Sequence, residues 1–118
     1  MKFMLLIYQD EQKPLSEIER QECYAEAIQL AHELDSNGKY LAANPLHPTT
    51  VATSVRVRDG KRLVTDGPFA ETREQLGGYF LIDAKDLDEA LEVAARVPIA
   101  RTGTVEVRPV IEIPGLPT

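Results

Sequence analysis

The chain has 118 residues, 43% of them apolar and 27% charged, which excludes a disordered tail and fits one domain with its own core. Its 19 acidic residues outnumber 13 basic ones for a net charge of −6, arguing against a protein that tracks nucleic-acid phosphates over a broad basic surface. No apolar run approaches the roughly 20 residues of a membrane span, and the single cysteine, Cys23, cannot form an internal disulfide, which points to a cytoplasmic location.

The first element is Phe3 to Tyr8. Its continuous apolar run is too short for the apolar region of a signal peptide, and acids follow it, so it reads as a strand buried on both faces. Ser16-Glu17-Ile18-Glu19 has capping-box spacing and opens a helix. Ile18, Tyr24, Ala27, Ile28, Ala31 and Leu34 keep the spacing of one apolar helix face, and Asn37-Gly38 ends it. Lys39 to Ala43 is a short strand. The segment Asn44 to Pro48 is expected outside the ladder, because each proline removes a donor.

Val51, Thr53, Val55 and Val57 alternate with polar residues at strand period, and Asp59-Gly60 is a two-residue hairpin turn returning through Lys61 to Thr65. Thr72 to Gln75 has the spacing of a single helical turn. Tyr79 to Ala84 is the next strand. A second helix starts at the N-cap Asp86 with Glu89 at N3, carries the stripe Leu87, Ala90, Leu91 and Ala94, and stops at Pro98. Thr104 to Val110 is the last strand, placed at an edge by Pro109. Residues 1–118 form one domain, with 110–118 an irregular tail.

Without the hairpin, the order is the split βαβ pattern of an α+β, ferredoxin-like fold. Both helices then cover one sheet face. Met4, Leu6 and Tyr8 point opposite to Phe3, Leu5 and Ile7, so the second face is also apolar. Its expected cover is a second copy of the chain, giving a homodimer with facing sheets; the alternative is the inserted hairpin folding over it.

The hairpin register pairs Thr53 with Asp66, Val55 with Val64, and Arg58 with Lys61. Asp66 thereby ends the apolar row of Val55 and Val64, where a carboxylate needs donors or a cation. It is either a turn-organising acid or a general acid/base. His47, rigidly held between Pro45 and Pro48, is a general-base candidate or a plain loop residue. Tyr8, Arg56 and Phe69 are candidate ligand contacts, Phe69 otherwise anchoring its loop in the core. Gly77 and Gly78 permit close approach of a ligand or another backbone. His32 reads as a surface residue and Cys23 as packing. No spacing indicates a metal site, and neither a glycine-rich nucleotide fingerprint nor a P-loop is present.

The run Asp66-Gly67-Pro68-Phe69, then Ala70-Glu71-Thr72 and Glu74-Gln75-Leu76-Gly77-Gly78-Tyr79, closely resembles the signature of the DGPF-domain proteins, a branch of the YCII-related (YciI-like) family. The likeness extends from Phe3–Tyr8 through Asp59-Gly60-Lys61 and Asp86–Ala90 to Val105–Pro109. It implies a dimeric α/β barrel of ferredoxin-like subunits in a bacterial, cytoplasmic protein, without an established reaction. In the wider family a first-helix His with an Asp has been proposed as a catalytic pair, and a chlorinated-aromatic dehydrochlorinase belongs to it. That His position falls near Ala27 here, and His32 does not match it. The resemblance also implies a link to extracytoplasmic-function sigma factors. The expected function is small-molecule binding in a cleft near residues 66–78, as a cofactor-independent lyase or isomerase with Asp66 and His47 in catalytic roles. The alternative is a non-catalytic, ligand-binding or regulatory dimer. Neither nucleic acid nor a membrane is an expected partner.

Overall fold

The structure is a computed structural model and describes residues 1–117. Six strands and two helices follow in the order β1 (Lys2–Gln9), α1 (Glu17–Ser36), β2 (Tyr40–Pro45), β3 (Thr53–Arg58), β4 (Lys61–Asp66), β5 (Gln75–Asp83), α2 (Leu87–Arg96) and β6 (Thr104–Pro109), with single 3₁₀ turns at Thr49–Val51 and Pro98–Arg101. β2, β5, β1 and β6 form one antiparallel sheet in that spatial order, and β3 pairs only with β4. This is the ferredoxin-like split βαβ sheet with an inserted β-hairpin.

Local signals set the helix ends. Ser16 Oγ accepts from the Glu19 amide at 3.1 Å, and the Glu19 carboxylate accepts from the Ser16 amide at 3.0 Å. Those bonds hold the Glu19 carboxyl below the usual range. Gly38 ends α1 at φ +70°, a conformation costly for other residues. Asp86 caps α2 by accepting from the Glu89 amide at 2.9 Å.

The core lies between the helices and one sheet face. Phe3 and Leu5 of β1 with Phe80 and Ile82 of β5 pack against Leu30 and Leu34 of α1, Ala90, Val93 and Ala94 of α2, and Val97. The Lys39 ammonium donates to Glu89 at one margin of this core, and together with the Lys85 amide it lowers the Glu89 carboxyl.

Several expectations need correction. On α1 the buried residues are Leu30 and Leu34, whereas Ile18 is 70% exposed and Tyr24 and Ile28 are exposed as well. Of the stripe its spacing predicts, Leu34 is buried and Ala27 and Ala31 pack against the core, while Tyr24 and Ile28 front an opening instead of the sheet. On α2 the seam is Ala90, Val93 and Ala94, leaving Leu87 and Leu91 exposed. Asn44 and Pro45 do join a strand, tolerated because β2 is an edge. Thr72–Gln75 makes no helical turn; the Gln75 side chain donates to the Thr72 carbonyl at 2.9 Å instead. The tail after Pro109 has no regular element, and its last residue, Thr118, lies outside the described residues.

Met4 faces Leu81 and Leu6 faces Tyr79 on the sheet face away from the helices. The Asn44 amide donates to the Tyr79 hydroxyl across that face at 3.0 Å. The hairpin does not fold over it: Val55, Val57, Leu63 and Val64 are all exposed.

Candidate functional site

A cavity of about 800 Å³ opens between α1 and the sheet, at the end where β1 and β2 finish and β5 begins. Its apolar wall is built from Ile7, Ala27, Ile28, Ala31, Ala43 and Phe80, with Leu15, Leu46 and Ile99 toward the mouth. Two of the exposed apolar side chains of α1 are explained here, because Tyr24 and Ile28 line this space.

Most of the charged and polar groups reach it from two elements, with Tyr40 and Asn44 of β2 and Tyr79 of β5 adding to them. The end of β1 and the residues after it supply Gln9, Asp10 and Glu11; α1 supplies Arg20, Cys23, Tyr24, His32 and Asp35. The Asp10 side chain is only 19% exposed. One of its oxygens accepts from the Gln12 amide at 2.9 Å, and Arg73 Nε stands 3.9 Å from the other. The Glu11 carboxylate accepts from the Thr49 amide at 3.1 Å and from its hydroxyl at 2.5 Å. That pairing ties the cavity floor to the loop leading into β3. Burial pushes the Cys23 thiol up, with Arg101 acting in the opposite sense, so it stays protonated at neutral pH and is no activated nucleophile.

A glycine bulge shapes the opening. Ile7 pairs with Gly78 but Tyr8 pairs with Leu76, leaving Gly77 as the extra residue of β5. A Cβ on Gly77 would lie 2.8 Å from Gln9 Nε2, and one on Gly78 would lie 3.1 Å from the Asn44 carbonyl oxygen. The two glycines therefore admit a neighbouring side chain and the β2 backbone, and both also line the cavity.

The other sequence candidates lie elsewhere. Of the seven, only Gly77 and Gly78 are in the cavity wall. Tyr8 is half-buried, one residue before the wall residue Gln9. His47 is exposed, although its neighbours Leu46 and Pro48 line the wall. Asp66 pairs with Thr53 as the register predicts, but the row it ends is exposed and its carboxylate has no hydrogen-bond partner among the described residues. The turn after it is held by other groups: the Gly67 amide donates to the Ala52 carbonyl at 2.7 Å and the Ser54 hydroxyl to the Gly67 carbonyl at 2.9 Å. Phe69 neither enters the core nor walls the cavity. It is 74% exposed, with the Arg56 guanidinium 4.9 Å from its ring centre. Residues 66–76 thus stay out of the cavity wall, although Arg73 stands beside the wall residue Asp10 and the loop runs directly into the wall residues Gly77 and Gly78.

The sequence alone does not mark Asp10, Glu11, Arg20 or Tyr24 as site residues, and it reads His32 as a surface residue. His32 is exposed, yet it stands on the cavity wall. The available signal was an α1 with more apolar residues than one seam against a sheet requires, next to a buried strand ending in Gln9-Asp10-Glu11. Among the described residues no group of three or more His, Cys, Asp or Glu is arranged to hold a metal ion, and no helix is long and apolar enough to cross a membrane.

An antiparallel split βαβ sheet with both helices on one face, and an apolar cleft under the first of them, defines a small α+β protein of ferredoxin-like build. The chain belongs to the YCII-related domain family, whose pattern it matches over residues 1–114. An uncharacterized protein of Rhizobium meliloti (strain 1021) is 50% identical over 74 residues, covering 61% of this chain and 60% of that relative's length. A similar solved structure is the 5-chloro-2-hydroxyhydroquinone dehydrochlorinase of Burkholderia phenoliruptrix AC1100 in complex with 2,5-dihydroxybenzoquinone. It superposes with a TM-score of 0.54 at 15% identity over 94% of both chains, a likeness of fold.

Proposed function

We propose that the cavity beneath α1 binds a small, largely apolar molecule that is uncharged or weakly basic. The carrying observation is its volume of about 800 Å³ and its mostly apolar wall with few polar groups, the build of small-molecule sites in general. Asp10, Glu11 and Asp35 against Arg20 weigh the rim against anions. A lyase-type reaction without a cofactor is the chemistry this rim fits. The proton carriers then are Asp10, held by its backbone contact, and His32 on α1, in place of Asp66 and His47. The fold neighbour's dehydrochlorinase activity supports an elimination at this kind of cleft.

The test is binding of a panel of neutral, cationic and anionic aromatic compounds, followed by ligand-observed NMR. Ile28→Trp places a large ring in the cavity and is expected to abolish binding while thermal stability holds. Unchanged binding in that variant sinks the reading. Asp10→Asn separates catalysis from binding: turnover of any identified substrate falls while its affinity is retained.

The working unit is proposed to be a homodimer through the open sheet face. Support comes from the apolar Met4, Leu6 and Leu81 on a face that no element among the described residues covers. Light scattering that returns a monomer at micromolar concentration would refute it.

A further inference from the structure

We propose that the β3–β4 hairpin is an arm that clasps a second copy of this chain. The inference rests on the homodimer proposed for the working unit and adds a contact that a sheet-face dimer does not need. An isolated two-stranded hairpin is at best marginally stable in water, and this one pairs with nothing but itself. Its register puts Val55 opposite Val64 on one face and Arg56 opposite Leu63 on the other. Those apolar side chains are all exposed. The arm also stretches the molecule. The radius of gyration is 16.0 Å, against about 13.5 Å for a compact domain of this length.

Charge selects the occupant. The arm carries Arg56, Arg58, Lys61 and Arg62 against Asp59 and Asp66, in a chain whose net charge is −6. The acidic excess therefore lies off the arm. A second copy offers what the arm lacks: acids along α1 and unpartnered apolar groups such as Ile18. A polyanion is a poorer fit, since it would meet an acidic body and has no use for a row of valines. An exchanged arm gives the valines burial and the cations opposite charge in one contact.

Trypsin reads the contact directly, because the four cationic residues on the arm are its cleavage sites. In concentrated protein the arm is expected to resist cleavage, and dilution is expected to release it. Val55→Asp with Val64→Asp is expected to raise the dimer dissociation constant about tenfold or more, and high salt is expected to weaken the dimer in the same sense. Neither valine touches the chain's own core, so the variant keeps its far-ultraviolet dichroism and its melting temperature in dilute solution. Leu6→Arg probes the sheet face separately. A wild-type dimer whose arm is cut as fast as the variant's overturns the clasp and leaves the sheet-face dimer standing. The clasp is likewise overturned if Leu6→Arg dissociates the dimer and the double arm variant does not. A protein monomeric at every concentration overturns both. An arm protected in the monomer, or only with co-purified nucleic acid, overturns a second copy as its occupant. A dimer weakened by the arm variant and indifferent to Leu6→Arg supports the clasp and sinks the sheet-face reading.

Discussion

The four-stranded sheet and the β3–β4 arm both present rows of apolar side chains and reach opposite ends. In β1 and β5, alternate residues such as Leu5 and Ile82 are fully buried under two helices. In the arm, Val55 and Val64 face each other in register and stay in solvent. The difference is coverage. βαβ crossovers lay α1 and α2 on the sheet, whereas a turn as short as Asp59-Gly60 brings nothing to lie on the arm. Alternation therefore specifies that a face is apolar, and connectivity decides whether it is buried within the chain.

Deleting apolar bulk from each region tests this contrast most strongly. Phe80→Ala is expected to cost about 3–5 kcal/mol in urea unfolding, whereas Val64→Ala in dilute protein should stay within about 0.5 kcal/mol. A comparable loss for Val64 would mean that the arm packs on its own body. Next in size, Ser16→Ala removes the side-chain half of the α1 cap and should lower stability by about 1 kcal/mol. The same measurement on Asp66→Asn should show a shift within about 0.5 kcal/mol, its carboxylate being exposed and unpartnered. A larger loss there would return Asp66 to the role of loop organiser.

The smallest effect concerns pH. Lys39 lowers the Glu89 carboxyl in the folded chain, so this pair's stabilisation is present above the ordinary carboxylate range and is lost as pH falls through the lowered value. Glu89→Gln should flatten the acid limb of the stability profile and leave the alkaline limb unchanged. A profile that keeps its acid slope would assign that slope to other carboxylates. Lys39 and Glu89 both lie off the arm, so arm charge reversals should leave the limb intact in the monomer.

Much of the fold was legible where short-range chemistry decides. The capping box at Ser16, the cap at Asp86 and the hairpin register from Thr53–Asp66 to Arg58–Lys61 all stand as the sequence predicts. Each needs only neighbouring residues and backbone hydrogen bonds. The candidate site was legible in one feature, the glycine pair 77–78. Asp66 misled because the apolar row it ends is not buried by the chain itself, and Phe69 because its loop turns the ring to solvent. Asp10 and Tyr24 went unseen because a cavity is a gap between elements distant in sequence.

Family, order of elements, their ends and the pairing of the arm are all written in the residues themselves, since turns, caps and alternation are local properties. Packing in three dimensions made one side of α1, from Arg20 to Asp35, line a cavity instead of resting on the sheet. It also placed Asp10 and His32 on the wall of that cavity and left the DGPF loop outside it. Those outcomes depend on where α1 rests against the sheet and on the bulge at Gly77, beside the Gln9 side chain, and both are distances between segments that no local pattern encodes.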